Sequence, residues 1–380
     1  MKREGLKRIG WGFFGVFLAL TLAVGSFPSA ARAADPPALQ GLSGAERERV
    51  AKLIEGARKE GGLMYLTHSM SPEIFQDVSK VFKEDYGLPD LNAQHALLRS
   101  SKVTARAMKE VQAGKYVLDV IHVAAPLFFD KLIEMGELAR YTSPEYKYYD
   151  PEVTSGTGAA AAKPGYYISS MVFYYGIIYN TKFVKKDLKS WEDLLDPQYK
   201  GKIILGDASK STTYSDCYRG WRKILPLSYW EKLSKQDPSI ILASRTIVNR
   251  VVAGEYWIGI FPSMRLLYKE WKRGVTHVKA LYPGNRAVPI GVQVGILEKA
   301  PHPNAARLWV DFFHSAKGQS LLVKEMGHAC ARKNVEVPDL LRPISPPVSE
   351  MNLIRIDWST FGPEDKAKVK AEFRGIFISK

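Results

Sequence analysis

The sequence predicts an α/β protein of two lobes, each a mixed sheet flanked by helices, joined by strands that run between the lobes. Three observations predict it. The chain has 380 residues, beyond the size at which a single hydrophobic core usually keeps growing. Its first third alternates short apolar runs with amphipathic segments in β-α-β-α-β order, the pattern of a parallel sheet. A break rich in Gly, Ala, Thr and Pro at 151–165 precedes a long aromatic and β-branched run, Tyr166 to Tyr179, which is long enough to cross between lobes. A composition of 46% hydrophobic and 24% charged residues belongs to a folded globular chain.

At the N-terminus, Lys2, Arg3, Lys7 and Arg8 precede an apolar run from Ile9 to Val24, and Ala31-Arg32-Ala33 forms an A-x-A cleavage site. Residues 1–33 therefore read as a signal peptide for export to the periplasm, with no cysteine nearby to carry a lipid anchor. Their removal takes away five basic and one acidic side chain, so the formal charge of +15 becomes +11. A basic surface fits nucleic acid, anionic membrane or an anionic solute. Export argues against nucleic acid, and no zinc-finger, RNP or basic-zipper pattern is present.

The elements follow in order. Residues 44–60 read as a helix capped by Ser43, Leu63–Leu66 as a buried strand, and Thr67–Ser71 as a polar loop leading to a helix from Pro72 to Tyr86. Ala93–Leu98 is strand-like, Arg99–Lys102 a loop, Val103–Ala113 a helix and Val117–Val123 a third strand. After the 166–179 strand, Ser190 caps a short helix that Pro197 ends, and Gly201 admits a turn into the strand at Ile203. A helix starts near Thr213. Another ends at Gly254, before a strand that runs to Ile260 and beyond. Val288–Ile296 is a returning strand between the lobes. Residues 301–319 open a helix with Pro303 and Asn304, carry Ala305, Leu308, Trp309, Phe312 and Phe313 at helical spacing, and stop at Gly318. A last helix starts at Pro363 and reaches about Phe373.

Several of these segments resemble those of one family. Residues 301–319, the run Leu118-Asp119-Val120-Ile121, the run Ser190-Trp191-Glu192-Asp193-Leu194-Leu195 with Pro197 and Gly201, and Val251–Ile260 around Gly254 resemble periplasmic solute-binding proteins, the soluble receptors of ABC importers. The resemblance spans about residues 60–335 and points to the ferric, polyamine and sugar-phosphate branches of the type II periplasmic-binding fold. It implies lobe one at 44–168 and 290–316, lobe two at 174–285 and 317–345, and a C-terminal extension at 346–380. It also implies a monomer that closes on its ligand and delivers it to an ABC permease, with no cofactor.

The ferric branch places paired tyrosines just after the strand that follows Gly254, because Fe(III) favours phenolate oxygens. Here that register falls on Met264 and Arg265, a departure that argues against iron. Tyr174 and Tyr175 are adjacent, yet neighbours in a strand face opposite sides, so only Tyr175 remains a pocket residue. Arg265 offers the guanidinium fork that matches carboxylate or phosphate; a surface salt bridge would use the same side chain. Arg99 and Arg286 share that ambiguity. The Gly206–Thr213 turn places Asp207, Ser209, Ser211 and Thr212 before a helix N-terminus, where backbone N–H groups favour anions. N-capping by Ser211 or Thr212 is the plainer alternative, and Asp207 could instead hold a sugar hydroxyl or an amine. Ser69 and Ser101 repeat the arrangement in the first lobe, and His68 lies in its cleft loop. The expected ligand is a small organic anion.

Enzyme signatures are thin: no H-E-x-x-H, G-x-S-x-G, Walker loop or C-x-x-C occurs. The rival from another class is an exported enzyme on the same fold with Cys217 as nucleophile. An exported chain could also join Cys217 to Cys330 in a disulfide.

Overall fold

The computed structural model describes residues 35–356 and 362–379; the signal peptide read at 1–33 lies outside the described residues. Helix α1 (Gly44–Glu60) leads into β1 (Gly62–Thr67), α2 (Pro72–Tyr86), β2 (Asn92–Leu97), α3 (Ser100–Ala113), β3 (Val120–Val123) and α4 (Pro126–Glu134). The short α5 (Pro151–Thr154) precedes β4 (Ser169–Asn180). Then come β5 (Ile203–Gly206), α6 (Thr212–Arg222), α7 (Leu227–Ser234), β6 (Ser239–Ile241), α8 (Ser244–Ala253), β7 (Ile258–Ser263), α9 (Met264–Lys272) and β8 (Val278–Leu281). The chain returns through β9 (Arg286–Ala287) and β10 (Pro289–Ile296) to α10 (Pro303–His314) and α11 (Ala316–Met326). It closes with β11 (Asn352–Leu353) and α12 (Pro363–Phe377).

Strand order β2-β1-β3-β10-β4-β7-β5-β6, with β8 also on β4, makes a mixed sheet. β1 is parallel to β2 and β3, while β10 runs antiparallel to β3 and β4. β5 is parallel to β6 and β7. The twelve-residue β4 serves both halves: Ser169 to Tyr174 pair with β10, whereas Tyr175 to Tyr179 pair with β7. Two cores meet along β4. Met171 and Phe173 pack with Leu66, Ile121, Trp309 and Phe313 in one, and Val172 and Tyr174 pack with Ile204, Ile260 and Trp230 in the other. The alternation follows from the two-residue period of a strand. Tyr149, Val153 and the α12 residues Phe373 and Phe377 join the second core, while Leu322 and Met326 of α11 join the first.

The family-like segments are structural nodes. The buried Asp119 carboxylate accepts the N–H groups of Met64 at 2.7 Å and His302 at 2.7 Å, and lies 2.8 Å from His302 Nδ1. It thereby ties β1 to the chain entering α10. Asp193 accepts the N–H groups of Lys189 and Ser190, and Ser190 Oγ accepts that of Asp193 at 3.3 Å. This reciprocal cap holds Trp191 against Trp221 and Trp230.

Some boundaries differ from the sequence reading. Gly318 does not stop the long helix. α10 ends at His314, Ser315 caps α11 by accepting the Gly318 N–H at 3.0 Å, and a Cβ on Gly318 would lie 2.0 Å from the Phe312 carbonyl oxygen. The glycine is there for close approach. α10 opens at Pro303 and Asn304 as read, and its first N–H groups go to Glu60, at the end of α1, which accepts those of Asn304 and Ala305. α3 begins at Ser100 rather than Val103, and the third strand begins at Val120, with Val117 and Leu118 outside it donating their N–H groups to the Glu110 carboxylate. α12 continues to Phe377. Cys217 and Cys330 are buried and free, so the disulfide that the sequence allowed is not formed.

Candidate functional site: a cleft at the strand ends

The C-terminal ends of β1, β3 and β7 and the middle of β4 converge on a cleft of about 450 Å³, where open α/β sheets place their ligands. From the first core come His68 and Ser69 after β1, Ser100, Ser101 and Thr104 of α3, and Ala124 to Phe128 leading into α4. From the second come Thr212, Thr213 and Asp216 of α6, Arg265 of α9 and Lys366 of α12. Phe173 and Tyr175 of β4 and Ile290, Gly291 and Gln293 of β10 line the cleft where the chain passes between the cores.

Arg265 owes its position to a bulge. Tyr175 pairs with Ser263 and Ile177 with Ile260, so Phe261 and Pro262 together oppose Gly176 alone. Phe261 takes a left-handed φ of 65°, an unfavourable conformation for a residue with a side chain, fixed here by complete burial of its ring. β7 closes one residue past the bulge, at Ser263, and α9 starts at Met264, whose side chain is buried. The next residue, Arg265, then faces the cleft. Its Nη1 donates to the Ser69 carbonyl at 3.4 Å, and its guanidinium lies 5.2 Å from the centre of the Phe173 ring. No carboxylate of the described residues forms an ion pair with it. Burial, with Arg245 adding repulsion, moves its pKa down, but a guanidinium stays charged throughout the physiological range. A desolvated, uncompensated cation favours an anionic partner.

Burial shifts three other titratable groups of the wall. His68 lies beside His122, its Nδ1 3.3 Å from the His122 carbonyl; burial, reinforced by Arg265, pushes its pKa down to about 4, so it is neutral. Burial raises the Tyr175 phenol. Burial also pushes Asp216 up to about 7 against the opposing pull of Lys366, Arg219 and Lys370. The buried Ser69 Oγ and Asp216 Oδ1 have no hydrogen-bond partner among the described residues. α3, α4 and α9 begin at the cleft without a side-chain cap, which leaves first-turn N–H groups for a ligand.

Of the residues singled out in sequence, His68, Ser69, Ser101, Tyr175, Thr212 and Arg265 come together on the cleft wall. The other five do not line it. Asp207 is buried and accepts both the N–H and the hydroxyl of Ser209, at 2.9 and 2.6 Å, closing the turn on itself. Ser211 accepts the Tyr214 N–H as the cap of α6. Arg99 is exposed ahead of α3, and Arg286 is exposed beside β11 in a separate shallow depression. Asp216, Lys366, Phe173 and Gln293 are among the wall residues that sequence reasoning missed. Asp216 lies one turn after Thr212, so the helix period could have found it. Nothing local marks Lys366. Among the described residues, no group of three or more His, Cys, Asp or Glu could hold a metal ion.

Known proteins bear on this geometry. The family described as bacterial extracellular solute-binding protein matches residues 117–348. Iron-bound HitA from Pseudomonas aeruginosa is 18% identical, with a TM-score of 0.64 over 83% of this chain and 99% of that one. The periplasmic binding protein AfuA from Actinobacillus pleuropneumoniae, with fructose-6-phosphate bound, is 19% identical, with a TM-score of 0.63 over 83% of this chain and 98% of that one. The spermidine/putrescine transporter protein PotD from Streptococcus pneumoniae is 15% identical, with a TM-score of 0.65 over 83% and 98%. At these identities the likeness is one of fold.

Proposed function

Because the chain belongs to the family of bacterial extracellular solute-binding proteins, we propose that it captures a small organic anion in its cleft and delivers it to an ABC permease. The anion carries a phosphate, phosphonate or carboxylate. Arg265 is the observation that carries this reading: a partly buried guanidinium on the cleft wall, beside the Ser69 carbonyl and the Phe173 ring and with no carboxylate of the described residues paired to it. The starts of α3, α4 and α9, which have no side-chain cap, and the Ser69 hydroxyl, which has no partner among the described residues, add donors around the same space.

Similar folds hold iron, a sugar phosphate or serve polyamines, so the wall chemistry has to decide. Among the described wall residues, ferric ion finds one tyrosine, Tyr175, and a cation, and a polyamine finds one carboxylate, Asp216, half protonated near pH 7. Neither is well served. The enzyme alternative needs a reactive thiol, yet Cys217 is off the cleft wall and burial raises its pKa well above the ordinary thiol value, which disfavours the nucleophilic thiolate. The lobes are read as rigid units about β4 and β10 that close on ligand, and the family implies a periplasmic address.

Receptor affinities between micromolar and nanomolar correspond to about −8 to −12 kcal/mol, and a hydrogen bond to a charged group supplies about 1.5–3 kcal/mol of that. Calorimetry on wild type and Arg265→Ala with phosphate-, phosphonate- and carboxylate-bearing compounds tests the reading. The expected result is a loss on the order of tenfold to a hundredfold. Equal affinity in the two proteins would refute it.

A further inference from the structure

The cleft read as an anion site also contains a carboxyl group. Asp216 lies one turn after Thr212 on α6, on the helix face that lines the cleft with Thr212 and Thr213, while Cys217, Tyr218 and Trp221 belong to the second core. It keeps 6% of its surface exposed, and its Oδ1 has no hydrogen-bond partner among the described residues. We infer that Asp216 is a ligand-binding residue that meets the anion as the neutral acid and donates its O–H to it, so that capture is coupled to the uptake of a proton from solvent.

The coupling follows from what shares the space. An ionised Asp216 and an anion on Arg265 would be like charges within one cleft of about 450 Å³, and two acids confined together resist ionising together. Protonation removes that repulsion. It also turns a group that can only accept into one that donates, and a donor to an anion makes a stronger bond than a donor to a neutral acceptor. No hydrogen bond from the described residues to Oδ1 opposes the change by favouring the charged form.

The charged groups around Asp216 leave it close to balance. Burial raises its pKa to about 7 against the pull of Lys366 on α12, Arg219 on its own helix and Lys370 on α12, and Lys366 and Arg219 have further contacts of their own. On α6 beside it, burial raises the Cys217 thiol and the Tyr214 phenol, so both keep their protons. Across the cleft, Arg265 is a permanent cation, burial pushes His68 down to about 4, and burial raises the Tyr175 phenol. Among these groups, Asp216 is the one whose proton a neighbouring anion can shift near neutral pH.

This inference rests on the anion reading of Arg265, and calorimetry with probes of fixed charge separates the two. Butyrate, succinate and propane-1-sulfonate would be titrated into wild type, Asp216→Asn, His68→Gln and Arg265→Ala at about pH 7.5 in imidazole, triethanolamine and Tris, amine buffers whose ionisation enthalpies differ. The change of observed heat with buffer enthalpy counts the protons taken up. Wild type should take up on the order of half a proton per ligand, and its affinity should fall as pH rises from about 7 to 9, with a limit of about tenfold per pH unit. Asp216→Asn keeps a donor but cannot titrate, so it should take up none, bind independently of pH and bind at least about fivefold more tightly than wild type at about pH 9. His68→Gln should keep the uptake. No uptake by wild type, or uptake that survives Asp216→Asn, overturns the role of Asp216, while binding lost in Arg265→Ala keeps the anion reading intact. Binding of no probe at millimolar concentration, or binding indifferent to Arg265→Ala, overturns both.

Discussion

At the scale of single residues, the cleft is defined by which side chains are left with unmet chemistry. Among the described residues Arg265 has no paired carboxylate and Ser69 Oγ no hydrogen-bond partner, and Asp216 is ionised only at a cost. That cost has a sign. An acid whose pKa is raised on folding to about 7 binds its proton more tightly in the native state, so its destabilising effect is absent below about pH 4, the ordinary carboxylate value, and grows until about pH 7. Asp216→Asn should accordingly melt higher than wild type at pH 8, with the gain vanishing near pH 4. A gain independent of pH in thermal melts would contradict the burial of that carboxylate. Iron gives a second residue-scale prediction. With Met264 and Arg265 after β7, and with Tyr174 turned into the second core against Tyr282, apo-protein mixed with ferric citrate should show no phenolate-to-iron absorption band. A coloured complex lost on Tyr175→Phe would refute this. Cys217→Ser should leave ligand affinity unchanged, since the thiol faces the core; turnover of a bound compound that disappears in this variant would establish an enzyme instead.

Elements carry most of what could be read in the sequence, because their signals are local. The 3.6-residue period of Ala305, Leu308, Trp309 and Phe312 and the cap at Ser190 both reappear where expected. Their partners were not legible. Glu60 caps α10 from 244 residues away, and Asp119 is satisfied by β1 and by His302, contacts that only the packed fold creates. Asp207 shows the same limit: its turn was foreseen, but the side chain curls back onto Ser209 instead of facing the cleft, a choice between two local hydrogen-bonding patterns. Lys366 sits on a helix whose place against α6 depends on Glu372, Phe373 and Phe377 meeting residues 150 positions earlier. The Asp119 node makes an element-scale prediction. Asp119→Ala strips three polar contacts at a buried site and should destabilise the protein by at least about 1.5–3 kcal/mol, measured by urea denaturation, without changing ligand affinity per folded molecule. A loss under about 0.5 kcal/mol would mean that β1 and α10 are held without it.

For the whole molecule, β4 and β10 matter most, since β4 passes from β10 to β7 and β8 along its length and β10 passes from β4 to β3. Two cores meeting along two continuous strands can rock about them without breaking either core. A saturating ligand should therefore reduce the radius of gyration in solution scattering, and an unchanged profile would argue against closure. The central claim is that the cleft receives a small organic anion, and native mass spectrometry of the protein purified from the periplasm of its own cells tests it most directly. The account predicts one bound small molecule per chain, bearing phosphate, phosphonate or carboxylate, and absent from Arg265→Ala prepared in the same way; a bound polyamine, a bound ferric ion, or an anion retained equally by Arg265→Ala would contradict it.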